Sequence, residues 1–180
     1  IVMLISVAAI LSIIGGNRKA QAINSVVNNL NFAIESMIRD IKTGFNYKCI
    51  PFTTYISNSS APGECTPSVA VGTDSDPFTF TSTLAIEGVG QPVEYKFGET
   101  EDGVGTIYKT YSPTGQNGTP VTIPLTSPQV NITKFEMYVR NPEPGQTPKA
   151  QPSVFLIIEG DAEIADNQVS QFSLQTYISQ

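Results

Sequence analysis

The sequence predicts an α+β fold: one long N-terminal helix, part apolar stalk and part amphipathic, packed on an antiparallel β-sheet domain. Three observations predict it. No proline interrupts residues 1–44, and the chain after Gly44 changes to short alternating runs between turn residues. A helix over the first segment would also be longer than the globule the rest can form. The division is a helix over residues 1–44 (1–16 apolar stalk, 17–44 amphipathic half) and a β-rich head over residues 45–180.

The stalk comes first. Between Ile1 and Ile14 the polar residues are Ser6 and Ser12, whose hydroxyls can bond back to helix carbonyls. Ile1, Val2, Met3, Leu4, Ile5, Val7, Ile10, Leu11, Ile13 and Ile14 are large and apolar. Leaving them in water would forfeit about 15–30 kcal/mol, at roughly 1.5–3 kcal/mol per side chain. The segment therefore requires a bilayer or copies of itself. It is shorter than the ~20 residues that cross a bilayer core.

The amphipathic half follows without a break. Ile23, Val26, Val27, Leu30, Ile34, Met37, Ile38 and Ile41 keep the i, i+3, i+4, i+7 spacing of one helix face. Asn24, Asn28, Asn31, Glu35, Arg39 and Lys42 lie off that stripe, with Glu35 four residues before Arg39 for an ion pair. Gly44 is the C-terminal stop. Such a helix extends about 63 Å at 1.5 Å per residue. The head would be about 37 Å across from its expected radius of gyration. The stripe can lie on the head while the stalk projects.

Beyond Gly44, "FTFTSTLAIEG" sets Phe78, Phe80, Leu84 and Ile86 on one face, and "PVEYKFGE" alternates Val93, Tyr95 and Phe97 with Glu94 and Lys96. "VGTIYKTYS", "VNITKFEMYVRN", "PSVFLIIEG" and "VSQFSLQTYIS" continue the series. Period-2 runs between turn clusters predict an antiparallel sheet of about five to seven strands. The apolar phase slips between Ile132 and Phe135, which predicts a bulge or a twist. Asn141 to Pro152 reads as an exposed hairpin loop.

Charge and chemistry narrow the function. Residues 1–50 hold five basic and two acidic residues, whereas the rest hold five and fourteen. The net charge of −6 argues against a nucleic-acid surface. With no histidine, the commonest general base and metal ligand is absent. No phosphate loop, nucleophile elbow or zinc motif occurs, so no catalytic residue, cofactor or metal is expected and an enzyme ranks below every other class. Asp74–Asp76 and Glu99–Asp102 are hard oxygen clusters that could suit calcium, but neither has a glycine-turned loop, and solvated turns are the expectation. Cys49 and Cys65 predict a disulfide worth about 3 kcal/mol in an extracytoplasmic domain. Asn58, Asn117 and Asn131 open glycosylation sequons.

An apolar helix start running into an amphipathic helix and then an antiparallel sheet resembles a type IV pilin. "NRKAQAINSVVNNLNFAIESMIRDIKTGFNYKC" is similar to prepilin-type proteins of small-genome bacterial lineages, and "FSLQTYISQ" resembles their C-terminal ends. The resemblance covers the helix and the last strand well and the middle only in style. It implies the pilin fold and an extracellular, cell-surface filament: a helical homopolymer whose apolar half-helices bundle in the core. Before assembly the same segment would anchor the subunit in the inner membrane and meet the pilus assembly machinery. The family's N-terminal pattern, Phe-Thr-Leu-Ile-Glu, ends in a glutamate that pairs with a neighbour's N-terminal amine. Here Ile5 holds the fifth position and no acid precedes Glu35, so the expectation is that a short segment carrying that glutamate precedes Ile1. A subunit lacking the carboxylate, as in some tip pseudopilins, is the alternative.

Gly15 and Gly16 mark a weak point, since glycine costs about 1 kcal/mol relative to alanine in a helix. Arg18 and Lys19 end the apolar run, and an intersubunit contact with Asp40, or with Glu35, of a displaced neighbour would compensate them. Two alternatives stand beside the pilus subunit. One is a pseudopilin of a type II secretion system, and the other is a single-pass membrane protein whose β-domain binds a ligand. A cleaved signal ending at "AQA" (Ala20–Ala22) fits less well, because Arg18 and Lys19 sit where the apolar region should be.

Overall fold

The computed structural model describes residues 2–57, 78–86, 89–113, 118–140, 152–164 and 168–179. Helix α1 (Val2–Thr43) runs through Gly15 and Gly16 without a break. Its described side chains before Val26 are all exposed, with Met3 at 85 % and Ile13 at 64 %. From Val26 onward the stripe turns inward, and Val26, Leu30, Ala33, Ile34, Met37 and Ile41 are buried. These positions recur every three or four residues, as one face of an α-helix requires.

The helix stops where its sequence says it should. The Gly44 amide donates to the Ile41 carbonyl at 3.1 Å, and a side chain at Gly44 would collide with the Phe80 ring. Asn46 then takes a left-handed turn at φ 58°, a conformation asparagine tolerates better than most residues. Asn46 lies within β1 (Phe45–Lys48), whose register shifts between those two residues, and a short helix α2 (Phe52–Ser57) follows. Strands β2 (Phe78–Ile86), β3 (Val89–Glu99), β4 (Gly105–Tyr111) and β5 (Val121–Pro124) complete a first antiparallel sheet in the order β1-β2-β3-β4-β5. Strands β6 (Val130–Arg140), β7 (Ser153–Ile164) and β8 (Gln168–Ser179) form a second, in the order β6-β7-β8.

This architecture corrects the expected fold class. The α+β pilin fold, with a protruding apolar stalk on a helix that packs on one sheet of five to seven strands, is not what the chain forms. The described residues are mostly antiparallel β, in eight strands and two sheets. Moreover, no helix among the described residues is long and apolar enough to cross a membrane. The buried stripe of α1 joins residues of both sheets in one apolar cluster rather than lying on a single sheet face.

The split has a local cause. Pro124 closes β5, the Leu125 amide still reaches the Ile107 carbonyl at 2.8 Å, and a turn over Ser127–Val130 then leads β6 away. Where β4 meets β6, the Gly105 amide donates to the Asn131 side-chain oxygen at 2.8 Å, in place of a ladder bond. The approach is so close that a Cβ on Gly105 would run into the Ile132 carbonyl. Alternating hydrophobicity reports a strand but not its partner, so nothing in the sequence marked this seam. The phase slip that the sequence does show is real, since the β6–β7 register shifts between Ile132 and Lys134.

Candidate functional site

Two surfaces and one buried tie are candidates for function. The first surface is α1 itself. Met3, Ile13, Ile14, Ile23, Val27 and Phe32 are exposed large hydrophobics on one continuous helix, Phe32 at 71 %. Of the residues expected in a filament core, Met3, Ile13 and Ile14 are exposed. Ile1 lies outside the described residues. Val2, Leu4, Ile5, Val7, Ile10 and Leu11 stand in the helix beyond the described side chains, as do Gly15, Arg18 and Lys19. Glu35 is exposed.

The buried tie overturns one expectation outright. Asp40, expected to be free for a neighbouring subunit, is only 2 % exposed and is satisfied within its own chain. Its Oδ2 accepts hydrogen bonds from the Tyr95 hydroxyl at 2.7 Å and from Lys109 Nζ. The physical reason lies in the helix wheel. Asp40 stands three residues after Met37 and beside Ile41, on the stripe that packs inward, so β3 and β4 must supply its partners. Burial first, and then the Asp40 charge and the hydrogen bond to it, raise the Tyr95 phenol well above its ordinary range. Lys109 also lies 5.9 Å from the Tyr95 ring centroid and 5.8 Å from that of Tyr111. The signal available in the sequence was an acid at a stripe position.

Around the tie, Tyr47, Phe78, Phe80 and Tyr95 form a chain of ring contacts with centroids 5.5 to 5.9 Å apart. Tyr47 closes the helix end, its hydroxyl lying 2.6 Å from the Ile41 carbonyl and 2.9 Å from that of Gly44. Glu94, which alternates with Val93, Tyr95 and Phe97, is itself buried, and its carboxylate accepts the Phe52 amide at 2.6 Å. These contacts fix α1 and α2 to the first sheet.

The second surface is the outer face of the second sheet. Tyr138, Phe155 and Tyr177 pair directly across β6, β7 and β8, with Tyr138 and Phe155 rings 6.3 Å apart. Arg140, Ser153 and Ile157 line the same shallow groove. Below it Glu136 accepts from the Tyr138 hydroxyl at 3.0 Å and pairs with Lys134 at 3.2 Å. The Glu136 hydrogen bond is the main cause that raises both Tyr138 and Lys134.

The remaining expectations resolve as follows. Cys49 is disulfide-bonded, while Cys65 lies outside the described residues. Asn58 and Asn117 lie outside them too, as do Asp74–Asp76 and the segment from Asn141 to Gln151. Asn131 is half-buried within β6, and its side-chain oxygen accepts the Gly105 amide. Glu99–Asp102 belong to a turn closed by Gly103-to-Thr100 and Thr100-to-Val104 backbone bonds. Among the described residues, no group of three or more metal-ligating side chains is gathered. Comparisons with family models, with curated proteins and with solved structures find no match to this chain.

Proposed function

We propose that this chain is the structural subunit of an extracellular filament that assembles through the exposed part of helix α1. One observation carries the reading: every described α1 side chain before Val26 is exposed, Met3, Ile13 and Ile14 among them, although the helix continues unbroken into the core. A folded chain that keeps such surface on a continuous rod gains by burying it against copies of itself. A rod that meets neighbours through different faces makes heterologous contacts, which propagate as an open helical polymer. The disulfide at Cys49 supports an oxidising, extracytoplasmic location. In this reading the partners are further copies of the chain and the machinery that assembles them, and no catalysis is required.

The test separates assembly from folding. Ile13→Lys with Ile14→Lys places two charges on described, exposed positions that contribute nothing to the core. Thermal unfolding should be unchanged while filaments, counted by electron microscopy, are lost. Filaments at wild-type yield from the double variant would reject the proposal.

A further inference from the structure

The two sheets have four edge strands among the described residues; β6 lies against β4 at the Gly105–Asn131 contact, and the other three are not alike. β1 is four residues long with an irregular register, and β5 is four residues long, preceded by Pro120 and ending in Pro124. Both are blunted in the usual ways, by shortness, bulging and proline. β8 is different. It pairs with β7 over twelve consecutive residues without a register shift, and among the described residues no strand lies on its other side. Its sequence, "QVSQFSLQTYIS", contains no charge, no proline and no glycine. It therefore has neither the shortness, the bulge, the proline nor the charge that blunts an edge.

We infer that β8 is a homotypic docking edge: β8 of a second copy pairs with it antiparallel, about a twofold axis through Ser173. The strand is nearly symmetric about that residue. An axis there sets Val169 opposite Tyr177, Ser170 opposite Thr176, Gln171 opposite Gln175 and Phe172 opposite Leu174. Val169 and Tyr177 are the exposed large hydrophobics of β8, at 63 % and 64 %, and each covers the other across the axis. Aromatic–β-branched and Ser–Thr pairs are among the favourable cross-strand combinations. Two identical strands also bring the same charges to one seam, and β8 carries none of the net −6 charge. The contact is isologous and closes as a dimer. It does not depend on filament formation; within filaments it would join two of them side by side.

The test is disulfide trapping in the full-length chain in detergent. Ser173→Cys lies on the axis and should give a covalent dimer on mild oxidation, whereas Thr119→Cys, exposed elsewhere, should not. Adding Gln171→Lys with Gln175→Lys opposes lysines twice and should cut the Ser173→Cys dimer by about tenfold or more. Gln171→Lys with Gln175→Glu sets opposite charges against each other in this register alone and should restore it. Repeating the series with Ile13→Lys and Ile14→Lys keeps the result separate from filament assembly. A Ser173→Cys yield no higher than that of Thr119→Cys, or equal yields from the two charge pairs, would overturn the inference.

Discussion

Helix α1 meets the two sheets by different physical means. Against the first sheet it presents a buried carboxylate, bound by Tyr95 and Lys109, amid a chain of aromatic rings. In the second sheet the same cluster is mainly aliphatic: Val130, Ile132, Met137, Val139, Val154, Leu156, Ile158 and Ile178 are all buried, with Phe135 as the buried ring. Aliphatic packing is non-directional and stabilises roughly in proportion to area. A buried ionic contact is directional and gives little net stability over an apolar replacement, yet it is costly to break. The first sheet therefore sets where the helix end sits, and the second supplies much of the burial that holds it.

That difference is open to direct attack. The largest effect should come from Lys109→Met, which leaves a nearly inaccessible Asp40 carboxylate without its cation. Urea unfolding should show a loss of about 3–5 kcal/mol, and combining it with Asp40→Leu should recover most of that loss. A single-variant loss below about 1 kcal/mol would show that the pair does not hold the helix. On the aliphatic side, Leu156→Ala removes a fully buried side chain and should cost about 2–5 kcal/mol. No second substitution would rescue it by restoring charge balance. If Leu156→Ala were neutral, the division of labour drawn above would fail.

A smaller change isolates the Tyr95 hydroxyl. Tyr95→Phe keeps the ring contacts but removes one hydrogen bond to a charged acceptor, at about 1.5–3 kcal/mol. It should also alter the response to alkali. In the unfolded chain the phenol ionises near pH 10, whereas burial and the Asp40 charge hold the folded phenol neutral well above that. The unfolded state thus loses its proton first. The contribution is complete below about pH 10 and declines as the pH rises from there. Unfolding free energies of wild type and Tyr95→Phe should converge across that range. Parallel curves would contradict the assignment.

The sequence made some of this legible and hid the rest for definite reasons. The helix stop at Gly44, the inward stripe from Val26 and the bulge after Ile132 all follow from local spacing or local conformation. Strand partners do not, because pairing is decided by contacts far apart in the chain; the seam between β4 and β6 rests on Asn131 reaching Gly105. The burial of Glu94 has a related cause. Alternation assumes one wet face, but α2 covers that part of β3 and its first amide uses the carboxylate. Asp40 was visible as an acid on an apolar stripe, yet its partners lie 55 and 69 residues away.

The smallest predicted effect sharpens the comparison within a single helix end. Tyr47 and Tyr95 both place a buried hydroxyl near the C-terminus of α1, but Tyr47 faces the neutral carbonyls of Ile41 and Gly44. One hydroxyl has one proton to donate, so two acceptors within reach do not amount to two full bonds. A neutral hydrogen bond contributes about 0.5–1.5 kcal/mol, against roughly twice that with a charged partner. The Ile41 carbonyl lies in the last helical turn and already accepts the Gly44 amide, so the Tyr47 hydroxyl adds to a bond already made there. Tyr47→Phe should therefore cost about 1 kcal/mol by urea unfolding, less than Tyr95→Phe and with no change in the alkaline limb. Because the ring stack with Phe78 is kept, any loss reports the hydroxyl alone. A cost equal to that of Tyr95→Phe would mean that the charge on Asp40 contributes nothing beyond an ordinary acceptor, and the contrast between the two attachments would then rest on aromatic packing.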